Sequence, residues 1–213
     1  MNGRISGLYA ITPDLADTQK LIKQVRLALE GGARALQYRN KSADQSLKLQ
    51  QASALMRVCR EAAVPMIVND DLELALEINA GGVHLGSSDC PIADARIRLG
   101  KHKLLGASCY NDLQRALQCE AEGADYVAFG RFFSSTVKPD AVRAPFKLLR
   151  NAKLRLNVPV VAIGGINLQN AALLIEAGAD AVGVISALFN ASDIVETAKI
   201  FASLFAHQRH GVA

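Results

Sequence analysis

The chain has 213 residues, a formal charge of +4, half its residues hydrophobic, only 5% aromatic and no Trp. A chain this long buries a large apolar core without disulfides or structural metals, and its composition excludes intrinsic disorder, a collagen-like repeat and a disulfide scaffold. The 24 basic and 20 acidic residues are interspersed, without the basic stripe or stacking aromatics that nucleic-acid binding uses, so no nucleic-acid partner is expected.

Short β-branched runs alternate with stretches of helical periodicity, the pattern of repeated βα units. The first strand is expected at Gly7–Thr12, with a helix over Thr18–Glu30 behind it. The second, Ala35–Asn40, places Gln37, Arg39 and, in its loop, Lys41 between Leu36, Tyr38 and Asn40. A period of two sets the three on one face. An amide and a guanidinium aimed into a barrel are costly unless protein or ligand partners them. Anion binding therefore fits them better than a solvated edge, which barrel strands lack. A helix over Ser42–Ala62 follows.

The third strand, Met66–Asn69, ends in Asn69-Asp70-Asp71. Asp70 with Glu73 fits a capping box for a helix through Leu74 and Leu76. The fourth, Gly82–Gly86, holds His84 between Val83 and Leu85, as a core histidine with one hydrogen-bonded nitrogen would sit. After Gly86-Ser87-Ser88, Asp89 stands just ahead of Pro91, where it suits a helix start. Carboxylates ending neighbouring strands also make a seat for Mg²⁺, which takes few protein carboxylates and completes its shell with water and phosphate oxygens. Spacing alone leaves capping and metal binding both open.

The fifth strand, Lys103–Ser108, leads to a helix over Asp112–Glu122, and the sixth is expected at Tyr126–Phe132. Its loop, Ser134-Ser135-Thr136-Val137-Lys138, has hydroxyls and one lysine that suit a pyrophosphate, although serine clusters are also ordinary loop material. The seventh, Val160–Gly164, runs into Ile163-Gly164-Gly165-Ile166-Asn167. Glycines let a phosphate approach the backbone, and Asn167 can cap a helix over Leu168–Ala177 so that free N–H groups face the anion. Ser186, closing the eighth strand Ala181–Ser186, adds a donor where such barrels most often bind phosphate.

Eight strand–helix units are what a parallel sheet needs to close. The segments Gly32-Ala33-Arg34-Ala35-Leu36, Gly81-Gly82-Val83-His84-Leu85, Gly123-Ala124-Asp125-Tyr126-Val127 and Gly178-Ala179-Asp180-Ala181-Val182 read as one element used four times, ahead of alternate strands. No G-x-G-x-x-G follows the first strand, which argues against an open dinucleotide-binding sheet. The expected fold is a single (β/α)8 TIM barrel over residues 1–213, with its site at the C-terminal strand ends.

No apolar run reaches the 18 residues of a membrane helix, and the N-terminus, Met1-Asn2-Gly3-Arg4, lacks a signal-peptide pattern. Cys59, Cys90, Cys109 and Cys119 show no C-x-x-C pair, so reduced thiols in a cytoplasm are expected, with no membrane partner. Cys109 lacks an evident histidine partner, and His102, His207 and His210 lack metal-ligand spacing. A monomer or small homo-oligomer acting on small molecules is the expectation.

In order, Gln37-x-Arg39-x-Lys41, Asn69-Asp70-Asp71, Gly82-x-His84-x-Gly86 with Asp89, Gly106-x-Ser108, Gly123-Ala124-Asp125-Tyr126, Lys138, Ile163-Gly164-Gly165-Ile166 and Ile185-Ser186 resemble the thiamine phosphate synthases over roughly residues 7 to 190. The resemblance implies that hydroxymethylpyrimidine pyrophosphate is coupled through its methylene carbon to the ring nitrogen of a thiazole phosphate, releasing pyrophosphate. It implies Mg²⁺ on Asp70 and Asp89, with Arg39, Asn69 and Lys138 on the pyrophosphate oxygens; Lys41 and Ser135 are also expected to bind substrate, and Thr136 either supplies the hydroxyl that Val137 lacks or that contact is absent. It also implies Gln37 and Ser108 on the aminopyrimidine, and Gly164, Gly165, Ile185 and Ser186 on the thiazole phosphate. Arg39, Lys138 and Ser108 would be catalytic.

Two positions depart from the family pattern. Its Thr-x-Thr-Lys is here Ser135-Thr136-Val137-Lys138, where Val137 has no hydroxyl, and its Gly-Gln-x-Asp is Gly86-Ser87-Ser88-Asp89. Alternatives are a thiazole tautomerase-like paralogue, which needs no pyrophosphate–Mg²⁺ site, and a non-catalytic barrel that binds a phosphorylated metabolite.

Overall fold

The computed structural model describes residues 5–134 and 144–206. Eight strands run parallel: β1 (Gly7–Ile11), β2 (Ala35–Tyr38), β3 (Met66–Asn69), β4 (Gly82–Leu85), β5 (Leu104–Tyr110), β6 (Tyr126–Phe129), β7 (Val160–Ile163) and β8 (Ala181–Val184). Each pairs with the next, and β8 closes on β1. The TIM barrel is as expected. Most strands end one to three residues before the expected limit, because the alternating pattern continues after the ladder stops and the chain bends into the mouth. In contrast, β5 runs on to Tyr110 across a register shift between Ser108 and Tyr110.

The helices are α1 (Thr18–Glu30), α2 (Gln45–Glu61), α3 (Leu72–Glu77), α4 (Ile92–Leu99), α5 (Leu113–Ala121), α6 (Lys147–Arg155), α7 (Ala171–Glu176), α8 (Ser186–Phe189) and α9 (Ile194–Ser203). Aspartates start many of them. Asp17, Asp44, Asp71, Asp112 and Asp193 each accept a backbone N–H from the first turn of the helix that follows, satisfying donors that have no partner inside the helix. None of the described helices is long and apolar enough to cross a membrane.

Strand parity divides the core. Leu8, Ala10, Leu36, Val68, Leu85 and Leu105 face the helices in one continuous cluster. Tyr9, Ala35, Ile67, Tyr126, Val161 and Ala181 fill the barrel itself. Each fully buried Leu or Val contributes about 1.5–3 kcal/mol, so a core of small branched side chains holds the frame with few aromatics.

The fourfold repeat lies at the opposite end from the mouth. Gly32, Gly123 and Gly178 take left-handed φ values of 101°, 102° and 110°, each three residues ahead of its strand. In the fourth copy that position is Asn79, with φ 53°, a residue that tolerates this region. Gly81 is needed instead for space, since a Cβ there would lie 2.9 Å from the Met66 carbonyl oxygen. Asp125 and Asp180 do matching work: their carboxylates accept the Leu105 and Val160 N–H groups and pair with Arg96 and Lys153. The repeat is a stability device.

Candidate active site

A cavity of about 670 Å³ opens at the C-terminal mouth of the barrel. Gln37, Arg39, Lys41, Asn69, Asp70, Asp89, Ser108, Gly164, Gly165, Ile185 and Ser186 all line it. Ser135, Thr136 and Lys138 lie outside the described residues, as do Val137, His207 and His210. Ser134, immediately before them, lines the cavity.

The basic rim is held from β1. The buried Thr12 hydroxyl donates to the Arg39 carbonyl at 2.7 Å and accepts the Arg39 N–H at 2.8 Å, tying the two strand ends together. Asp14 Oδ1 then accepts Arg39 Nη1 at 2.9 Å and the Lys41 N–H at 2.7 Å. One carboxylate thus aims the guanidinium and fixes the loop that carries the lysine.

Asp70 does not cap α3. Asp71 does, accepting the Leu74 N–H at 2.9 Å, so the expected Asp70–Glu73 capping box is replaced by a cap one residue later, while Glu73 pairs with Arg98. Asp70 takes a left-handed φ of 64° and its N–H donates to the His84 carbonyl at 2.8 Å. That turns its carboxylate into the cavity, 3.4 Å from Lys41 Nζ. Asp89 is no helix cap either: Pro91 precedes α4 without a side-chain cap, and Asp89 Oδ2 accepts the Gly86 N–H at 2.6 Å. Partial burial pushes the Asp89 carboxyl up; the Gly86 N–H opposes this, and the nearby, hydrogen-bonded Asp70 adds to it. Two carboxylates this close repel unless a proton or a cation lies between them.

Five side chains from five strands form one hydrogen-bonded row under the cavity. Gln37 Nε2 donates to Tyr9 Oη at 3.1 Å, and Tyr9 Oη meets Tyr126 Oη at 2.8 Å. Tyr126 Oη lies 3.1 Å from His84 Nδ1, and His84 Nε2 lies 2.9 Å from Ser108 Oγ. Both imidazole nitrogens are therefore partnered, not one as expected, and the ring stacks on Tyr126 with centroids 5.5 Å apart. Burial pulls the His84 pKa down to about 4, against a smaller opposing effect of Asp70, so the ring is neutral at pH 7. Burial likewise pushes the Tyr9 and Tyr126 hydroxyls well up. Gly106 makes the row fit: a Cβ there would lie 2.1 Å from Tyr126 Cζ and 2.5 Å from His84 Nδ1.

Across the mouth, Gly164 and Gly165 take φ values of 93° and 68°, a left-handed pair that side chains resist. A Cβ at Gly165 would also meet the Ser134 carbonyl at 2.3 Å. The pair brings bare backbone to the cavity wall. Asn167 holds a turn rather than the helix: its Oδ1 accepts the Gln169 and Asn170 N–H groups, so α7 starts at Ala171, three residues later than expected. Those N–H groups are consequently not available to an anion. Ser186 opens α8, which has no side-chain cap; the Leu188 and Phe189 N–H groups donate to the Ile185 carbonyl, while those of Ser186 and Ala187 lie ahead of the helical ladder.

Sequence reasoning missed Tyr9, Tyr126 and Tyr110. The first two are signalled only as inward-facing tyrosines in a chain with few aromatics. Tyr110 pairs with the serine that departs from the family pattern, its Oη lying 3.0 Å from Ser87 Oγ and accepting the Ser87 N–H at 3.2 Å. All four cysteines are free thiols, and Cys109 is buried, its thiol pushed up by Cys119 and by burial. A buried thiol held in its protonated form is a poor nucleophile. Among the described residues no group of three or more His, Cys, Asp or Glu side chains gathers as an all-protein metal cage.

The thiamine monophosphate synthase family profile matches residues 8–188. A thiamine-phosphate synthase of Nitrosospira multiformis is 52% identical over 204 residues, covering 96% of this chain and 87% of that one. Another, from Methylobacillus flagellatus, is 53% identical over 201 residues, covering 94% and 96%. The solved thiamine phosphate pyrophosphorylase of Pyrococcus furiosus superposes with a TM-score of 0.85 at 35% identity, covering 94% of this chain and 96% of that one.

Proposed function

The chain belongs to the thiamine monophosphate synthase family, and we propose that its barrel mouth couples hydroxymethylpyrimidine pyrophosphate to thiazole phosphate, giving thiamine phosphate and pyrophosphate. It is a transferase. The observation that carries the assignment of sides is the division of one cavity into two anion-accepting walls. Arg39, Lys41 and the Asp70–Asp89 pair stand on one, the Gly164–Gly165 turn and Ser186 on the other.

The pyrimidine pyrophosphate belongs at the basic wall, with its aminopyrimidine between Gln37 and Ser108. The bond from the methylene carbon to the pyrophosphate oxygen breaks, and its electron pair leaves with the pyrophosphate. The electron-rich ring spreads the positive charge left on the methylene. Arg39, pre-aimed by Asp14, stabilises the charge growing on the leaving group, with Asn69 and, outside the described residues, Lys138, Ser135 and Thr136. The thiazole phosphate is held by Gly165, Ile185 and Ser186, and its ring nitrogen closes the new C–N bond. No enzyme nucleophile is needed.

Asp70 and Asp89 fit Mg²⁺ as the two carboxylates of a site completed by water and pyrophosphate oxygens. Their mutual repulsion, with Asp89 pushed toward its protonated form, is relieved by a cation. Bound there, the ion would neutralise charge on the leaving pyrophosphate. A phosphate-binding barrel without that chemistry has no use for the carboxylate pair.

The test is to mix both substrates with Mg²⁺ and follow thiamine phosphate. The expected result is formation that EDTA abolishes and added Mg²⁺ restores. No product, with thiazole phosphate still bound, would overturn the synthase assignment.

A further inference from the structure

We propose that Tyr9, Tyr126 and His84 form a directional hydrogen-bond relay that fixes Gln37 as an acceptor and Ser108 as a donor toward the cavity. The pocket is thereby matched to an amino group beside a ring nitrogen. Tyr9 and Tyr126 are positioning residues acting through the two ends of the row. The inference rests on the assignment of Gln37 and Ser108 to the pyrimidine.

The direction follows from counting protons. Tyr9 Oη accepts from Gln37 Nε2 at 3.1 Å, and the phenol has a single proton of its own. Among the described residues its one acceptor is Tyr126 Oη, at 2.8 Å. Tyr126 then has a single proton to give and, among the described residues, one remaining hydrogen-bond neighbour, His84 Nδ1 at 3.1 Å. A neutral imidazole that accepts at Nδ1 carries its proton on Nε2, and that proton faces Ser108 Oγ at 2.9 Å. Ser108 therefore accepts from the histidine and keeps its own proton for the cavity it lines. At the other end, Gln37 spends an N–H on Tyr9 and leaves its carbonyl oxygen for the ligand.

The surroundings hold this order in place. Tyr9 and Tyr126 are fully buried, so water does not compete for their hydroxyls. The His84 ring is clamped by stacking on Tyr126, in space that exists because residue 106 is glycine. Reversing the row would leave the Tyr9 proton without an acceptor, or turn the Gln37 amide so that both its ends change polarity. In the forward order the amino group of a pyrimidine faces the Gln37 carbonyl and its ring nitrogen faces the Ser108 hydroxyl; the reversed order would exchange the two.

The protein labelled with ¹⁵N, without ligand, tests the direction, with the His84 signals identified by their loss in His84→Gln. The forward relay gives an unprotonated Nδ1 and a protonated Nε2; a protonated Nδ1 overturns it. Steady-state kinetics test the role. Tyr126→Phe is expected to raise KM for hydroxymethylpyrimidine pyrophosphate about tenfold with KM for thiazole phosphate unchanged. An unchanged pyrimidine KM, or equal changes in both, overturns the proposal. Should Tyr126→Phe not fold, the tautomer in the unaltered protein still decides. That measurement also stands if no thiamine phosphate forms, so failure of the relay and failure of the synthase assignment are told apart.

Discussion

Asp70 and Asp71 are neighbours of one chemistry placed in two conformations. The left-handed backbone of Asp70 turns its carboxylate to Lys41 and the cavity, while Asp71 is spent on the Leu74 N–H. Asp71→Ala should cost about 1 kcal/mol of stability in urea titrations with little change in Mg²⁺ dependence. Asp70→Asn should do the reverse, raising the Mg²⁺ needed for half-maximal rate while stability holds. His84 carries a pH signature of its own. Its folded pKa is about 4, below the ordinary value near 6.5, so between those pH values the unfolded chain binds a proton that the folded one refuses. Stability contributed this way is complete above about pH 6.5 and falls as pH drops toward 4, by up to about 3 kcal/mol. Urea midpoints from pH 7 to 4 should show that slope, and His84→Gln should flatten it. Inward-facing residues such as Gln37 and Arg39 were legible from alternation alone. The choice between Asp70 and Asp71 was not, because a cap depends on one φ angle that both residues tolerate.

At the scale of elements, the barrel separates the end that binds from the end that holds. The Asp125 and Asp180 carboxylates each secure an N–H near the start of a neighbouring strand and a basic side chain, far from the mouth. Asp125→Ala or Asp180→Ala should therefore cost about 1–3 kcal/mol of stability and leave kcat and both KM values unchanged; a selective loss of rate would contradict the division. Strand β5 is the exception that serves both ends. Gly106→Ala would drive a methyl group into Tyr126 and His84, and should cost about 1–3 kcal/mol together with binding of the pyrimidine substrate. Strand number and order were legible because parallel buried strands are short β-branched runs separated by helical periodicity. Their C-terminal limits were not, since apolar alternation outlasts the hydrogen-bonded ladder. The late start of α7 was equally hidden, because Asn167 caps a turn with the same side-chain oxygen that would cap a helix.

For the whole molecule, the +4 charge and the scarcity of aromatics resolve into a small-residue frame with a few cations at one mouth. The basic residues that line the mouth were visible by position, whereas the tyrosine–histidine row under them was not. A row of that kind is made by residues far apart in sequence that meet only when the barrel closes: Tyr9 and Tyr126 come from β1 and β6, which are not neighbours in the sheet. Both substrates must occupy one cavity in a fixed order of walls for the coupling to proceed as proposed. A crystal soaked with thiamine phosphate, pyrophosphate and Mg²⁺ measures that directly. The predicted result places the ion between Asp70 and Asp89 with pyrophosphate on Arg39, the pyrimidine between Gln37 and Ser108, and the thiazole phosphate against Gly165 and Ser186. A metal away from both aspartates, or a product lying with its phosphate at Arg39 and its pyrimidine at the glycine turn, would contradict it.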